Sequence, residues 1–208
     1  MDKDKKWYAA LAVGLINDTF ERVGNSTSAG DGHFGVTGWQ VKHLAISKGK
    51  ATFRYVGKSG VSHEKVVTDA LLVKALKKAV EGKKDADLVC GVTADEVNEY
   101  LDDLGLEITA KDIRGLHANR EMQKRLKAIR SKGGKLPKDK KERDKKLKAE
   151  FKEALEAAAE VVGHEPSTLK SQYLVPAFEQ YVIDGTIPSK FSERAAVARL
   201  TERYLRNL

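Results

Sequence analysis

Gly163-His164-Glu165-Pro166-Ser167-Thr168-Leu169-Lys170-Ser171-Gln172-Tyr173 is the stretch on which the reading of this chain turns. It follows a long Ala/Glu/Lys-rich run and precedes an apolar one, Leu174 to Ile183. Pro166 is set to open a short helix, because the N–H it lacks is one that a first turn leaves unused. Tyr173 then lies nine residues beyond His164. Two readings fit these residue types. In one, Tyr173 is a half-buried aromatic and His164 a helix-end histidine. In the other, the phenol is a nucleophile toward a phosphodiester and the imidazole bonds the phosphate oxygens. A motif this short leaves both open, and the rest of the chain decides between them.

The 208 residues are enough for one or two domains with a real core. Thirty-eight Lys+Arg against 30 Asp+Glu give a formal charge of +8, with a pI near 9.4. That balance favours a polyanionic partner, nucleic acid before membrane. Cys90 is the only cysteine, which excludes a disulfide framework and a cysteine-rich metal site and suits a reducing compartment. No apolar run approaches the roughly 18 residues of a spanning helix, and Met1-Asp2-Lys3-Asp4-Lys5-Lys6 has no signal-peptide core behind it. His33, His43 and His63 lack metal-ligand spacing and read as ordinary.

Residues 6–21 read as a helix, with Trp7, Ala10, Leu11, Gly14 and Leu15 at helical spacing and a stop near Gly24-Asn25. Residues 26–35 are polar and Gly-rich, hence loop. Residues 36–67 read as a small antiparallel sheet, beginning with a short turn or strand over Val36–Ala45, then Ile46 and a break at Ser47-Lys48-Gly49-Lys50. Within it Thr52–Val56 and Val61–Val67 form a hairpin across Gly57-Lys58-Ser59-Gly60, which puts Lys58 at the tip. The Walker glycines that a phosphate loop would need before Gly-Lys-Ser are missing. Helices dominate after this. Thr68–Val80 is amphipathic. Thr93-Ala94-Asp95-Glu96 opens a second helix with a capping box, ending near Gly105. Thr109-Ala110-Lys111-Asp112 opens a third, along which Lys111, Arg114, His117 and Arg120 recur as a stripe, usually a solvated face. Residues 131–137 are a basic linker. Residues 138–162 form a long charged helix with Phe151, Leu155, Ala158 and Val162 as its apolar stripe; its lysines either approach phosphates or keep it soluble. Leu174–Ile183 is a short helix, broken at Asp184-Gly185-Thr186-Ile187-Pro188. Ser192–Leu205 is a final amphipathic helix in a tail over 189–208.

Taken in order, Ala10-Leu11-Ala12-Val13-Gly14-Leu15-Ile16, Arg22-Val23-Gly24-Asn25, Tyr55-Val56-Gly57-Lys58, Ile108-Thr109-Ala110-Lys111-Asp112-Ile113-Arg114 and Val162-Gly163-His164-Glu165-Pro166-Ser167 resemble the catalytic domain of type IB DNA topoisomerases, most closely the compact poxvirus and bacterial enzymes. Each motif alone is weak; five in the right order are strong. The resemblance covers roughly residues 9–184. It implies an α+β, mostly helical fold, shared with tyrosine recombinases, with a small antiparallel sheet near the N-terminus. It implies a single catalytic domain over 1–208 without the β-rich N-terminal clamp domain of the family. Tyr173 would attack double-stranded DNA and leave a 3′-phosphotyrosyl enzyme. Arg22, Arg114 and His164 would bond the non-bridging oxygens, and Lys58 would protonate the departing 5′-oxygen. Lys111 and Lys170 would contact DNA phosphates. The resemblance further implies supercoil relaxation without ATP, metal or other cofactor, monomeric action with the clamp supplied separately if at all, no membrane partner, and an intracellular location with DNA.

Two alternatives remain beside it. Tyrosine recombinases share the Arg, Lys, Arg, His, Tyr logic but usually carry a His where this chain has Lys111, so the Lys111-Asp-Ile-Arg114 text favours the topoisomerase side. A DNA-binding module without turnover is the other. Gly115-Leu116-His117 after Arg114 is a departure in which His117 would replace part of the donor set or simply pack.

Overall fold

The computed structural model describes residues 1–188 apart from Asp2, residues 26–29, Asp31, His33, Lys58 and Ser59. Lys58, His33 and the tail over 189–208 with its expected helix therefore lie outside the described residues. The chain divides into two compact units, with the first running to Arg114 and the second beginning at Gly115.

At the centre of the first unit lies α1 (Lys3–Thr19), whose residues from Ala9 to Ile16 are all buried. A helix apolar on every side belongs inside a protein rather than on its surface. Three alanines and Gly14 within this run let neighbours approach closely. Around it lie α2 (Ala70–Val80), α3 (Ala94–Asp103) and strand β3 (Ser62–Val67). Leu11, Leu15 and Ile16 are fully enclosed, and each such side chain contributes roughly 1.5–3 kcal/mol by leaving water. The helix stops earlier than the glycine signal suggested. Phe20 adopts φ 59, a left-handed backbone that ends the helix before Gly24-Asn25 is reached.

The sheet has three strands, β1 (Leu44–Ser47), β2 (Lys50–Val56) and β3, in the order β1-β2-β3 and antiparallel throughout. The expected hairpin is β2–β3. Strand β1 falls at the end of the stretch over 36–45 that reads as a short turn or strand, and it joins β2 across the break at Ser47-Lys48-Gly49-Lys50. Ser47 pairs with Lys50, and Lys48 (φ 50) and Gly49 (φ 75) both take positive φ. That is the primed two-residue turn whose twist matches a hairpin. Along β2, Ala51, Phe53 and Tyr55 point inward, and Trp39 stacks on Phe53 with ring centroids 4.0 Å apart. Helix starts follow their capping residues. The Asp69 carboxylate accepts from the Leu72 amide, and Thr93 and Glu96 form the full capping box. Losing a cap of this kind costs about 1 kcal/mol.

Helix α4 (Ala110–Lys132) carries the chain from the first unit into the second. There it is followed by α5 (Lys140–Val162), α6 (Pro166–Gln172) and α7 (Phe178–Ile183). The apolar stripe of α5, Leu147, Phe151, Ala154, Leu155, Ala158 and Val162, is buried, and α6 and α7 pack on this helix. Residues 131–135 are exposed, as suits a basic connection. Arg130 and the buried Glu150 pair at 2.6 Å. The fold is α+β and mostly helical, with a small antiparallel sheet near the N-terminus.

Candidate active site

In the first unit, Arg22 follows directly on the strained end of α1. Its backbone is tied down on one side by a second segment: the Val36 amide donates to the Arg22 carbonyl at 3.0 Å, and the Thr37 amide to the Val23 carbonyl at 2.8 Å. Two glycines make this approach possible. A Cβ on Gly35 would lie 2.6 Å from the Gly24 Cα, and Gly24 itself has φ 90. The sequence reading saw Gly24 as a helix stop; its use is to let these two backbones touch.

Arg114 sits near the start of α4, where the Asp112 carboxylate caps Thr109 through both its amide and its hydroxyl. The expected stripe is therefore not a solvated face. Arg114 is 2% exposed, while Lys111 and Arg120 are exposed. Arg114 Nε donates to the Phe20 carbonyl at 2.7 Å. The left-handed turn at Phe20 brings that carbonyl to the guanidinium, at a backbone cost on the order of 1–3 kcal/mol. A buried guanidinium held through Nε has one defined plane, which suits it to paired bonds with phosphate oxygens.

Glu21 pairs with Arg22 and feels the charge of Arg114, and the sequence reading gave it no role. It is 3% exposed. One carboxylate oxygen accepts from the Arg22 amide at 2.8 Å and lies 3.5 Å from Arg22 Nε. The other accepts from the Tyr55 hydroxyl at 2.5 Å. Burial alone would push its pKa up, but the Arg114 guanidinium, the Tyr55 hydroxyl and the Arg22 amide hold it below the usual carboxylate range. Burial, then the charge and hydrogen bond of Glu21, drive the Tyr55 phenol well up, so it stays a neutral donor. Lys65 lies close by; burial, opposed by Glu21 and reinforced by Arg114, lowers its ammonium. His63 stacks on Tyr55 with centroids 5.5 Å apart and touches the backbone at Gly57, where a Cβ would come within 2.4 Å of its ring. Gly57 directly precedes Lys58.

In the second unit, α5 ends at Gly163, which takes the left-handed conformation (φ 71, ψ 51), and the His164 amide bonds back to the Ala159 carbonyl at 2.9 Å. This helix-closing motif fixes where His164 leaves the helix. Pro166 then occupies the first turn of α6, as its ring chemistry predicts, and Tyr173 is the residue after the helix. The His164 and Tyr173 rings lie 4.5 Å apart, tilted by 31°. Asn119, fully buried, holds the chain at Tyr173 and just beyond it. Its Nδ2 donates to the Tyr173 carbonyl and to the Gly115 carbonyl, each at 2.7 Å, and its Oδ1 accepts from the Val175 amide at 2.9 Å. Lys170 pairs with Glu179 at 2.5 Å and lies over the Phe151 ring. His117 is largely buried, and burial followed by the Arg120 charge lowers it to about 4. It is a neutral, packed imidazole rather than a cationic donor.

The sequence reading thus missed Glu21, Tyr55, Lys65 and Asn119. Only Asn119 left a readable signal. It falls on the apolar stripe of α4 between Leu116 and Met122, and a polar group at a core position needs partners. Among the described residues, no group of three or more His, Cys, Asp or Glu is arranged to hold a metal ion, and no helix is long and apolar enough to cross a membrane.

Comparison with curated proteins found no match. A family model does match: Eukaryotic DNA topoisomerase I, catalytic core, over residues 1–181. The matched span contains Arg22, Lys58, Arg114, His164 and Tyr173. The chain belongs to the eukaryotic DNA topoisomerase I catalytic-core family, whose work is the cleavage and religation of DNA that relaxes it.

Proposed function

We propose that the chain is a type IB enzyme and that Tyr173 is its nucleophile. The observation that carries this reading is the His164–Tyr173 pair, rings 4.5 Å apart, with Asn119 gripping the backbone at the tyrosine carbonyl and at the Val175 amide just after it. The Tyr173 oxygen attacks a backbone phosphorus of double-stranded DNA. A phosphotyrosyl bond forms at the 3′ end, the phosphorus–O5′ bond breaks, the phenol gives up its proton, and Lys58 supplies one to the leaving 5′-oxygen. Arg22, Arg114 and His164 donate to the non-bridging oxygens, whose charge grows in the five-coordinate transition state. One phosphodiester is exchanged for another, so resealing by the 5′-hydroxyl needs no ATP. The cationic side chains supply the charge stabilisation that a metal ion supplies elsewhere.

Lys111 and Lys170 contact flanking phosphates, Lys170 after leaving Glu179. Residues 1–208 act as one catalytic domain on DNA, as a monomer. Within type IB we place the chain with the compact poxvirus and bacterial enzymes on the text Tyr55-Val-Gly-Lys58 and Lys111-Asp-Ile-Arg114. The matched family model carries the eukaryotic description, so this narrower placement rests on the motifs.

The test is relaxation of negatively and positively supercoiled plasmid in EDTA without ATP, with Tyr173→Phe beside the unaltered protein. Relaxation of both signs by the unaltered protein alone is expected. A nicked suicide duplex that acquires no 3′-linked protein would overturn the assignment.

A further inference from the structure

A carboxylate is an odd group to bury among the cations of a phosphate site. Its charge opposes the ligand, and its burial is costly unless its oxygens are satisfied. Both Glu21 oxygens are satisfied: one by the Arg22 amide at 2.8 Å, the other by the Tyr55 hydroxyl at 2.5 Å. The first oxygen also lies 3.5 Å from Arg22 Nε. On the neighbouring residue, the Phe20 carbonyl accepts from Arg114 Nε at 2.7 Å. Thus two consecutive residues, Phe20 and Glu21, hold the two arginines through side-chain nitrogens. Arg22, Arg114 and Lys65 all interact electrostatically with Glu21 or pair with it. Like charges gathered in a partly buried space repel, and a fixed anion among them lets two guanidiniums keep a set geometry before any phosphate arrives.

We propose that Glu21 is a positioning residue: its buried carboxylate sets Arg22 and Arg114 in place in the DNA-free protein. It touches neither substrate nor reacting atoms and acts through the arginines. The catalytic consequence rests on the reading of Arg22 and Arg114 as phosphate ligands; the positioning itself does not. Two signatures follow. Removing the charge while keeping the size should loosen both guanidiniums. It should also slow the chemical step without weakening DNA binding, because the lost group is an anion. A merely structural residue would not separate binding from chemistry in this way.

The experiment is Glu21→Gln, with Tyr55→Phe as a second variant that keeps the carboxylate but removes one of its holders. Hydrogen exchange of the arginine Nε–H groups is followed by NMR in DNA-free protein, with Arg22 and Arg114 assigned by their lysine variants. Faster exchange at both arginines is expected in Glu21→Gln, with a smaller change of the same sign in Tyr55→Phe. In parallel, single-turnover cleavage of a suicide duplex should slow roughly 10- to 100-fold, the usual consequence of misplaced catalytic groups. Duplex affinity should stay equal or rise. If Glu21→Gln does not fold, Tyr55→Phe decides by the same readouts. Unchanged exchange at both arginines would overturn the proposal, whatever the cleavage rate. Slow cleavage fully restored by a 5′-bridging sulfur would also overturn it, since that result assigns Glu21 to the leaving-group proton instead. An unaltered protein that forms no adduct would sink the Tyr173 reading alone, because the exchange arm still reports on Glu21.

Discussion

Replacing Asn119 by alanine removes three hydrogen bonds at once, and the consequences of the three differ. The Gly115 carbonyl keeps its place in the helix ladder and loses little. The Tyr173 carbonyl and the Val175 amide lose the partners that Asn119 gave them at 2.7 and 2.9 Å. A buried polar group stripped of its partner costs about 1–3 kcal/mol. Both of these groups belong to half-buried residues that water can reach in part, so the low end applies to each, about 2 kcal/mol for the pair. Most of that loss falls on the segment from Tyr173 to Val175 rather than on the whole fold. If it appears as lost positioning of the phenol, 2 kcal/mol corresponds to roughly a 30-fold slower chemical step. The assay is single-turnover adduct formation on a suicide duplex, with duplex affinity and thermal unfolding measured beside it. Asn119→Asp is the informative companion. It keeps an acceptor for the Val175 amide but faces the Tyr173 carbonyl with an oxygen, so it should cleave no faster than the alanine variant. Cleavage by Asn119→Ala within threefold of the unaltered rate, at unchanged stability, would refute the claim that this side chain holds the nucleophile.

Tyr173→Phe should lose all adduct formation and keep duplex affinity; an adduct from this variant would mean another residue attacks. Lys58→Ala should fail on ordinary DNA and recover on a substrate whose leaving group is a 5′-bridging sulfur, which departs without a proton; absence of recovery counts against the general-acid role. His117 makes a pH prediction. Its folded value of about 4 lies below the ordinary 6.5, so the unfolded chain binds the proton first. Its contribution is complete above pH 6.5, declines as the pH falls, and is lost below about 4, with up to about 3 kcal/mol at stake. His117→Gln should flatten the stability profile between those values, and an unchanged slope in urea titrations across that range would refute the assignment.

The helices were legible because their signals are local. The Thr93/Glu96 capping box and Pro166 at a first turn each state a boundary in a few residues, and the structure has both. The end of α1 was not legible. Phe20 in the left-handed region is disfavoured by its own side chain, and only its surroundings, including the bond from Arg114, hold it there. Strand β1 was legible only as a short turn or strand, for a related reason. Four residues carry too little alternation to read, and Lys48-Gly49 is a turn only because a partner strand closes it. For the site, ordered motif text pointed to Tyr173, His164 and both arginines. Glu21 stayed invisible because burial of a charge beside Arg22 depends on Tyr55, more than thirty residues away. A sequence reading treats a charge as exposed by default, and here that default fails.

The two anchors share a physical logic that apolar packing does not offer. Burying a methylene stabilises a fold in proportion to area but imposes no direction. A phosphoryl transfer needs direction, because donors must meet oxygens that are still moving and the nucleophile must stand in line. Glu21 and Asn119 supply it in separate units, each through a buried side chain that spans two backbone or side-chain partners. Asn119 grips the chain at the nucleophile's own carbonyl and just after it, so the tyrosine oxygen keeps the freedom the reaction uses, rotation about its own side-chain bonds. Glu21 does the same for charge: it fixes where the arginines are while leaving the set positive overall, so DNA is still attracted. In both places the buried polar group costs stability that a leucine would not. What it returns is orientation, and the residues around it, Tyr55 in one case and the backbone of 173–175 in the other, are the ones whose substitution should alter rate before it alters fold.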